Sequence, residues 1–229
     1  MKEVKHPSME FKDYPKPAVT VDIVIFTIKD EELKVLLVKR GVEPQKGFWA
    51  LPGGFVKMDE ALESAAIREL EEETGVKDVY LEQLYTFGDP RRDSRGRVIT
   101  VVYMALIDSE KIKIRASTDT SDVDFFSIKK IPPVAFDHKK ILDYALKRLK
   151  WKFEYSTVAF SMLPEKFTIS QIQKIYEIVF DKEFDKRNFA KKILSLDILK
   201  EQGLNKNVSH RPPMLYSLKA DIGEIIEII

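Results

Sequence analysis

No cysteine occurs among the 229 residues. That absence excludes a disulfide framework, a cysteine-based zinc site and a thiol nucleophile, and it is compatible with a reducing compartment. An excess of charge of one sign is also missing: 38 Lys and Arg stand against 37 Asp and Glu, for a net charge of +1. A protein basic or acidic throughout is thereby excluded. No uncharged apolar run reaches the ~18 residues that a membrane-spanning helix needs. The first residues, MKEVKHPSMEFKDYPKP, hold no apolar core of a secretory signal. There is no internal repeat, no low-complexity tract and no Gly/Ser linker. What is present, 44% hydrophobic and 33% charged residues, is a globular mixture. The length allows one large domain or two modest ones. These features predict a soluble, cytoplasmic protein.

Charge is unevenly placed. Within residues 186–219, eight basic side chains (Lys186, Arg187, Lys191, Lys192, Lys200, Lys206, Arg211, Lys219) stand against two acids, Asp197 and Glu201. Such asymmetry fits either a polyanion partner or a solvated helix face followed by a lysine-rich loop.

Residues 18–27, AVTVDIVIFT, read as a strand, and residues 33–40 read as its partner across a polar turn. Residues 59–74 carry apolar side chains at helical spacing and read as a helix, with Gly75 as its natural terminator. Residues 79–88 and 98–107 read as two strands around the loop Asp89–Arg97. Asp137 can cap a helix reaching about Trp151. Farther on, Thr168 and Gln171 fit a capping box, Asp185 can cap a second helix to about Leu194, and residues 196–202 and 214–218 can pair as strands. The style changes after Trp151, which places a domain boundary there: 1–152 and 153–229.

Residues 54–76, GFVKMDEALESAAIRELEEETGV, hold the chemistry. Gly54 is followed after five residues by Glu60, and after seven more by Arg68-Glu69-Leu70-Glu71-Glu72-Glu73-Thr74-Gly75-Val76. At ~100° per residue, Glu69, Glu72 and Glu73 fall within one narrow wedge of a helix. Clustered carboxylates repel one another, and a hard divalent cation such as Mg2+ or Mn2+ offsets that repulsion. Arg68, four residues before Glu72, can orient or screen the cluster. Gly53-Gly54 lets the backbone approach closely, and a free carbonyl there can add a ligand.

The segment matches the Nudix box at every fixed position, and the chain resembles that family. The resemblance implies a Nudix fold of α/β (α+β) class, a mixed sheet sandwiched by helices. It also implies hydrolysis of a diphosphate assisted by Mg2+ (or Mn2+). Carried over by position, Glu69, Glu72 and Glu73 are the metal ligands, with the Gly53 carbonyl as a possible fourth. Arg68 and Glu60 support them. The family commonly uses a further acid outside the box. Asp119, Asp122, Asp124 or a box glutamate could serve, and the sequence does not choose.

Gly88-Asp89-Pro90-Arg91-Arg92-Asp93 with Arg95, and Pro133-Val134-Ala135-Phe136-Asp137-His138, resemble the ADP-ribose pyrophosphatase-like branch. Arginines in a hairpin loop can grip a diphosphate bidentately. Arg40, Trp49, Arg91, Arg92 and Arg95 are the substrate-binding candidates, with Trp49 and Phe48 able to stack on an adenine. His6, His138 and His210 do not cluster and are read as no metal site.

Residues 155–218 resemble the winged helix-turn-helix of the Nudix-related transcriptional regulators, the NrtR family. Lys186, Arg187, Asn188, Lys191 and Lys192 put donors on the helix in the recognition position, while Phe189, Ile193 and Leu194 can pack inward. Lys200, Lys206, His210 and Arg211 fall on or near the wing, where they can touch phosphates. The resemblance implies operator DNA as partner, ADP-ribose or a related nucleotide as effector, and a homodimer. Two readings follow. One is a DNA-binding regulator with a catalytically competent Nudix domain; the other is a plain metal-dependent pyrophosphatase whose winged helix is structural or serves dimerisation.

Overall fold

A computed structural model describes residues 14–77, 79–107, 120–205, 212–220, 226 and 228. Strand β1 (Ala18–Lys29) is nearly continuous in apolar residues because both of its faces are covered. It pairs antiparallel with β2 (Glu32–Arg40) and parallel with β6 (Val98–Ile107). The sheet has seven strands, ordered β3 (Trp49–Ala50), β2, β1, β6, β5 (Tyr80–Phe87). Strand β4 (Gly53–Phe55) pairs with β1, and β7 (Thr120–Ser127) pairs with β2.

The pleat sends alternate side chains to opposite faces. Val21, Ile23 and Ile25 of β1 pack with Ala65, Ala66 and Leu70 of helix α1 (Leu62–Thr74). Val24 and Phe26 pack with Ile141, Ala145 and Leu149 of helix α2 (His138–Tyr155). The mixed sheet thus lies between helices, as the resemblance implied.

Helix α1 begins at Leu62, not at residue 59. The difference has a local cause: the Glu60 carboxylate accepts the Lys57 N–H at 2.7 Å and an ion pair from Arg68, which holds residues 57–60 in a turn. Gly75 ends the helix in the left-handed conformation, φ 74°, with its N–H donating to Glu71. Helix α2 corrects one expectation. Asp137 occupies its N-cap but makes no side-chain cap bond, because its carboxylate is taken by Arg92.

Helix α2 runs on past position 152 to Tyr155, and a short 3-10 helix (Thr157–Met162) follows. Helices α3 (Ile169–Phe180) and α4 (Lys186–Ser195) then precede a hairpin of β8 (Leu199–Leu204) and β9 (Met214–Leu218). The capping box forms: Thr168 accepts the Gln171 N–H and the Gln171 side chain accepts the Thr168 N–H. Asp185 caps α4 by accepting the Asn188 N–H at 2.9 Å. No break in packing separates the two halves. One core runs from Val24 and Met104 through Phe153 to Phe160, Phe167, Tyr176, Phe189 and Ile193. The Tyr176 hydroxyl donates to the Phe153 carbonyl at 2.9 Å.

Phe153 is fully buried at this junction, with its ring 5.3 Å from that of Tyr176. Phe153→Ala is expected to lower the unfolding free energy by about 3–5 kcal/mol, read by chemical denaturation. A loss below 1 kcal/mol would show that the junction does not carry the packing assigned to it.

Candidate active site and candidate nucleic-acid interface

A cleft of about 300 Å³ opens where β4 and the N-terminus of α2 meet the end of the sheet. Asp22, Arg40, Gly53, Gly54, Phe55, Glu69, Glu73, Arg92, Asp93, Arg95, Phe136 and His138 are among its lining residues.

The acid end comes from α1 and β4. Glu73 accepts the Gly53 N–H at 2.9 Å. Burial is the main cause that pushes the Glu73 carboxyl up to about 8, with Glu69 and Asp22 adding like charge. Burial also raises Glu69. A Cβ at Gly54 would lie 2.2 Å from Glu69 Oε1, so only glycine lets this carboxylate sit against the backbone. Arg68 holds the assembly: it pairs with Glu60 at 2.7 Å, Glu69 at 2.6 Å and Glu72 at 3.2 Å. Its guanidinium beside Glu60 lowers that carboxyl to about 2.

These groups fit a divalent cation. Two carboxylates are drawn together where burial opposes their charge, and oxygen donors of this kind suit hard cations. Glu72 stands at the edge of this pair: its side chain is 56% exposed, lies outside the cleft lining and shares Arg68 Nη1 with Glu69, at 3.2 and 2.6 Å. Hence among the described residues no three acidic or histidine side chains form a closed cage. At Gly53, the group seen to face Glu73 is the N–H rather than the carbonyl.

The basic end is built over aromatic rings. The Arg40 guanidinium lies 4.9 Å from the centre of the Phe136 ring, and Arg95 lies 5.6 Å from it. Arg95 also covers Phe55 at 5.2 Å and is held by Asp93 at 2.7 Å. Burial and then the neighbouring Arg95 charge lower the Arg40 pKa. Two cations over one ring repel each other, and an anion between them relieves that repulsion.

The remaining arginine candidates behave differently. Arg92 lies 5% exposed and forks onto Asp137 at 2.9 and 3.2 Å, with Asp22 at 3.5 Å. Arg91 stands outside this cleft, in a neighbouring hollow with Asp89 and Lys140. Trp49 does not reach the cleft either; its ring packs edge-on against Phe126 at 4.6 Å. Phe48 is exposed and also lies outside it.

Asp22, Phe55, Asp93, Phe136 and His138 line the cleft without having been singled out as site residues. Asp22 left a signal, as the one charged residue within the strand read over residues 18–27. His138 Nδ1 accepts the Leu51 N–H at 2.9 Å, and burial lowers its pKa, so the ring is a neutral structural acceptor. Asp122 and Asp124 stand on β7 against β2, away from the cleft. Asp119 lies outside the described residues.

Helix α4 has two faces. Phe189 and Ile193 are buried, with Phe189 5.4 Å from Tyr176 and 5.6 Å from Phe184. Lys186, Arg187, Asn188, Lys191 and Lys192 are exposed. Leu194, expected to pack inward, is 47% exposed, because it falls one position past the buried stripe. Lys200 is exposed on β8, while Lys206, His210 and Arg211 lie outside the described residues.

The model of the NUDIX domain matches residues 16–145, and that of the NrtR DNA-binding winged helix domain matches residues 159–218. The chain is 38% identical over 208 residues to the ADPR responsive transcriptional repressor NtrR of Acinetobacter baylyi, covering 89% of this chain and 83% of that protein. It is 38% identical over 149 residues to an ADP-ribose pyrophosphatase of Methanocaldococcus jannaschii, covering 65% of this chain and 82% of that one. The crystal structure of Shewanella oneidensis NrtR complexed with a 27mer DNA superposes with a TM-score of 0.78 at 38% identity, covering 88% and 93% of the two chains.

The close approach at Gly54 yields a test. Gly54→Ala is expected to displace the Glu69 carboxylate, whose far end is flexible, and to leave the fold intact. Affinity for Mn2+, used as a paramagnetic probe of divalent cations, should fall about 10–100-fold with little change in melting temperature. Unchanged Mn2+ affinity would show that Glu69 holds no cation here.

Proposed function

Because this chain belongs to the Nudix family, and to the branch that carries an NrtR winged helix, we propose that it is a DNA-binding transcriptional repressor whose Nudix domain binds ADP-ribose and hydrolyses it. The observation that carries this reading is the union, on one continuous core, of a cleft with an acid end and an arginine end and a capped helix with an exposed basic face. Residues 1–152 are the Nudix unit and residues 153–229 the winged helix unit. The protein acts in the cytoplasm as a homodimer, since a winged helix reading a palindrome needs a two-fold partner.

Nudix hydrolases use divalent metal, and Mg2+ or Mn2+ is the cation assigned to this cleft. Glu69 and Glu73 would hold it, with Glu72 and the Gly53 carbonyl as the further candidates. When bound there, such a cation would supply charge neutralisation for a diphosphate and a more acidic water. Arg40 and Arg95 orient the phosphates through their forked donors. Arg68, fixed by Glu60, keeps Glu69 in place. Water cleaves the P–O–P linkage of ADP-ribose, giving AMP and ribose 5-phosphate. Lys186, Arg187, Asn188, Lys191 and Lys192 face DNA, with Arg211 from the wing, through phosphate and base-edge contacts.

The test uses duplex DNA from upstream of the chain's own gene, at fixed salt because phosphate contacts make affinity salt-dependent. Glu73→Gln is expected to cut hydrolysis by orders of magnitude and leave DNA binding intact. With hydrolysis blocked in this way, saturating ADP-ribose should weaken specific DNA binding by ~5–150-fold. Arg187→Ala with Lys191→Ala should abolish DNA binding and leave hydrolysis unchanged. Failure of the wild type to bind this DNA at low salt would leave the plain pyrophosphatase as the better reading. Normal turnover by Glu73→Gln would reject the catalytic assignment.

A further inference from the structure

Arg92 of the cleft wall forms a buried ion pair with Asp137, the residue just before the start of α2. Arg92 comes from the loop between β5 and β6, and its side chain is 5% exposed. Its Nε and Nη2 donate to the two oxygens of Asp137 at 3.2 and 2.9 Å, and Nη2 also reaches Asp22 at 3.5 Å. Asp137 is the N-cap of α2, yet its side chain is turned from the helix to the arginine. The far end of the same helix is set among the aromatics of the winged helix. Phe153 there contacts Tyr176 at 5.3 Å and Phe180 at 6.5 Å, and its carbonyl accepts the Tyr176 hydroxyl.

We propose that the Arg92–Asp137 pair is the positioning element through which ligand in the cleft acts on the DNA-binding half. This proposal rests on the functional reading above and names the route of its regulation. Arg92 shares the cleft wall with Arg40 and Arg95, so a diphosphate there competes with Asp22 and Asp137 for its donors. Breaking a buried pair outright leaves an uncompensated buried charge and is costly. Arg92 therefore moves toward the ligand with Asp137 still attached, and the start of α2 moves with it.

A helix of 18 residues is a rod of ~27 Å. No flexible tether interrupts it before Phe153, so a shift at Asp137 reaches α3. Helix α4 follows, because Phe189 packs on Tyr176 at 5.4 Å. Among the described residues, the ion pairs that join the halves elsewhere, Lys129–Asp181 and Lys174–Glu31, are exposed and do not line the cleft.

The experiment measures DNA affinity of the full-length protein with and without saturating ADP-ribose, metal omitted, for wild type, Asp137→Asn and Arg92→Lys. Asp137→Asn is isosteric and removes the charge; Arg92→Lys keeps charge but loses the fork. Both variants are expected to bind DNA like the wild type when ligand-free, which reports an intact winged helix. Isothermal titration should still show ADP-ribose binding by Asp137→Asn. The ligand response should shrink from the wild type's ~5–150-fold to under about threefold in Asp137→Asn, with Arg92→Lys in between. Asp137→Asn is expected to lower the melting temperature, since it strands Arg92; a loss of ligand-free DNA affinity with it would show a merely structural pair and overturn the proposal. A full wild-type response in either variant overturns the proposal while leaving the functional reading intact. No response in the wild type overturns that reading, and this proposal with it.

Discussion

Two carboxylates, Glu69 and Glu73, are held where burial opposes their charge, and the local architecture follows from keeping them there. The backbone at Gly53-Gly54 presses against them so closely that a Cβ at Gly54 would overlap Glu69. Helix α1 comes near enough because Ala65 and Ala66 are the residues it turns toward Val21 and Ile23. Larger side chains at those two positions would lift the helix off the sheet and open the acid end to water. The spacing of the box thus has two meanings: it brings the acids Glu69 and Glu73 to the cleft, and the small residues one turn before them set the helix close to β1.

Arginine use divides along the same line. Arg68 and Arg92 are spent inside the protein, each forked onto acids that fix a loop or a helix start. Such pairs contribute little net stability where they replace hydration, but removing one partner strands a charge. They therefore fix geometry more than they add free energy. Arg40 and Arg95 are the two set over aromatic rings at the cleft mouth, where their mutual repulsion favours an anion. Counting arginines in the hairpin loop could not make this distinction, because it depends on Asp22 and Asp137, far away in sequence.

Legibility followed locality. The capping box at Thr168, the cap at Asp185 and the terminator at Gly75 depend on a few neighbouring residues, and each forms as the sequence indicates. The box spacing likewise predicted that Glu69 and Glu73 would converge. Helical geometry also grouped Glu72 with them, and Glu72 stands at the exposed rim, on the same Arg68 nitrogen as Glu69. Trp49 read as a stacking platform, yet its neighbour Phe126 comes from β7, a strand that pairs with β2 at long range. Asp137 read as a cap by position, and Arg92, 45 residues earlier, claimed its carboxylate. In each miss, a partner distant in sequence outbid the local rule.

The continuity of the core limits what a ligand can do to the DNA-binding half. Phe153, Phe160, Phe167 and Tyr176 are buried in one cluster with residues of the sheet. Each contributes on the order of 1.5–3 kcal/mol by its burial. A ligand that changes DNA affinity through ~1–3 kcal/mol of coupling cannot pull such a cluster apart. It can only select between arrangements that keep the cluster packed. The exposed pairs Lys129–Asp181 and Lys174–Glu31 offer little resistance, since surface ion pairs are worth at most about 1 kcal/mol. On the route proposed above, such an arrangement is reached by a small pivot of α2 with α3 and α4 attached, in which surface pairs exchange and the aromatic cluster stays closed. A pivot of that kind would change where two basic helices stand relative to each other in the proposed dimer, and spacing between half-sites is what duplex DNA measures.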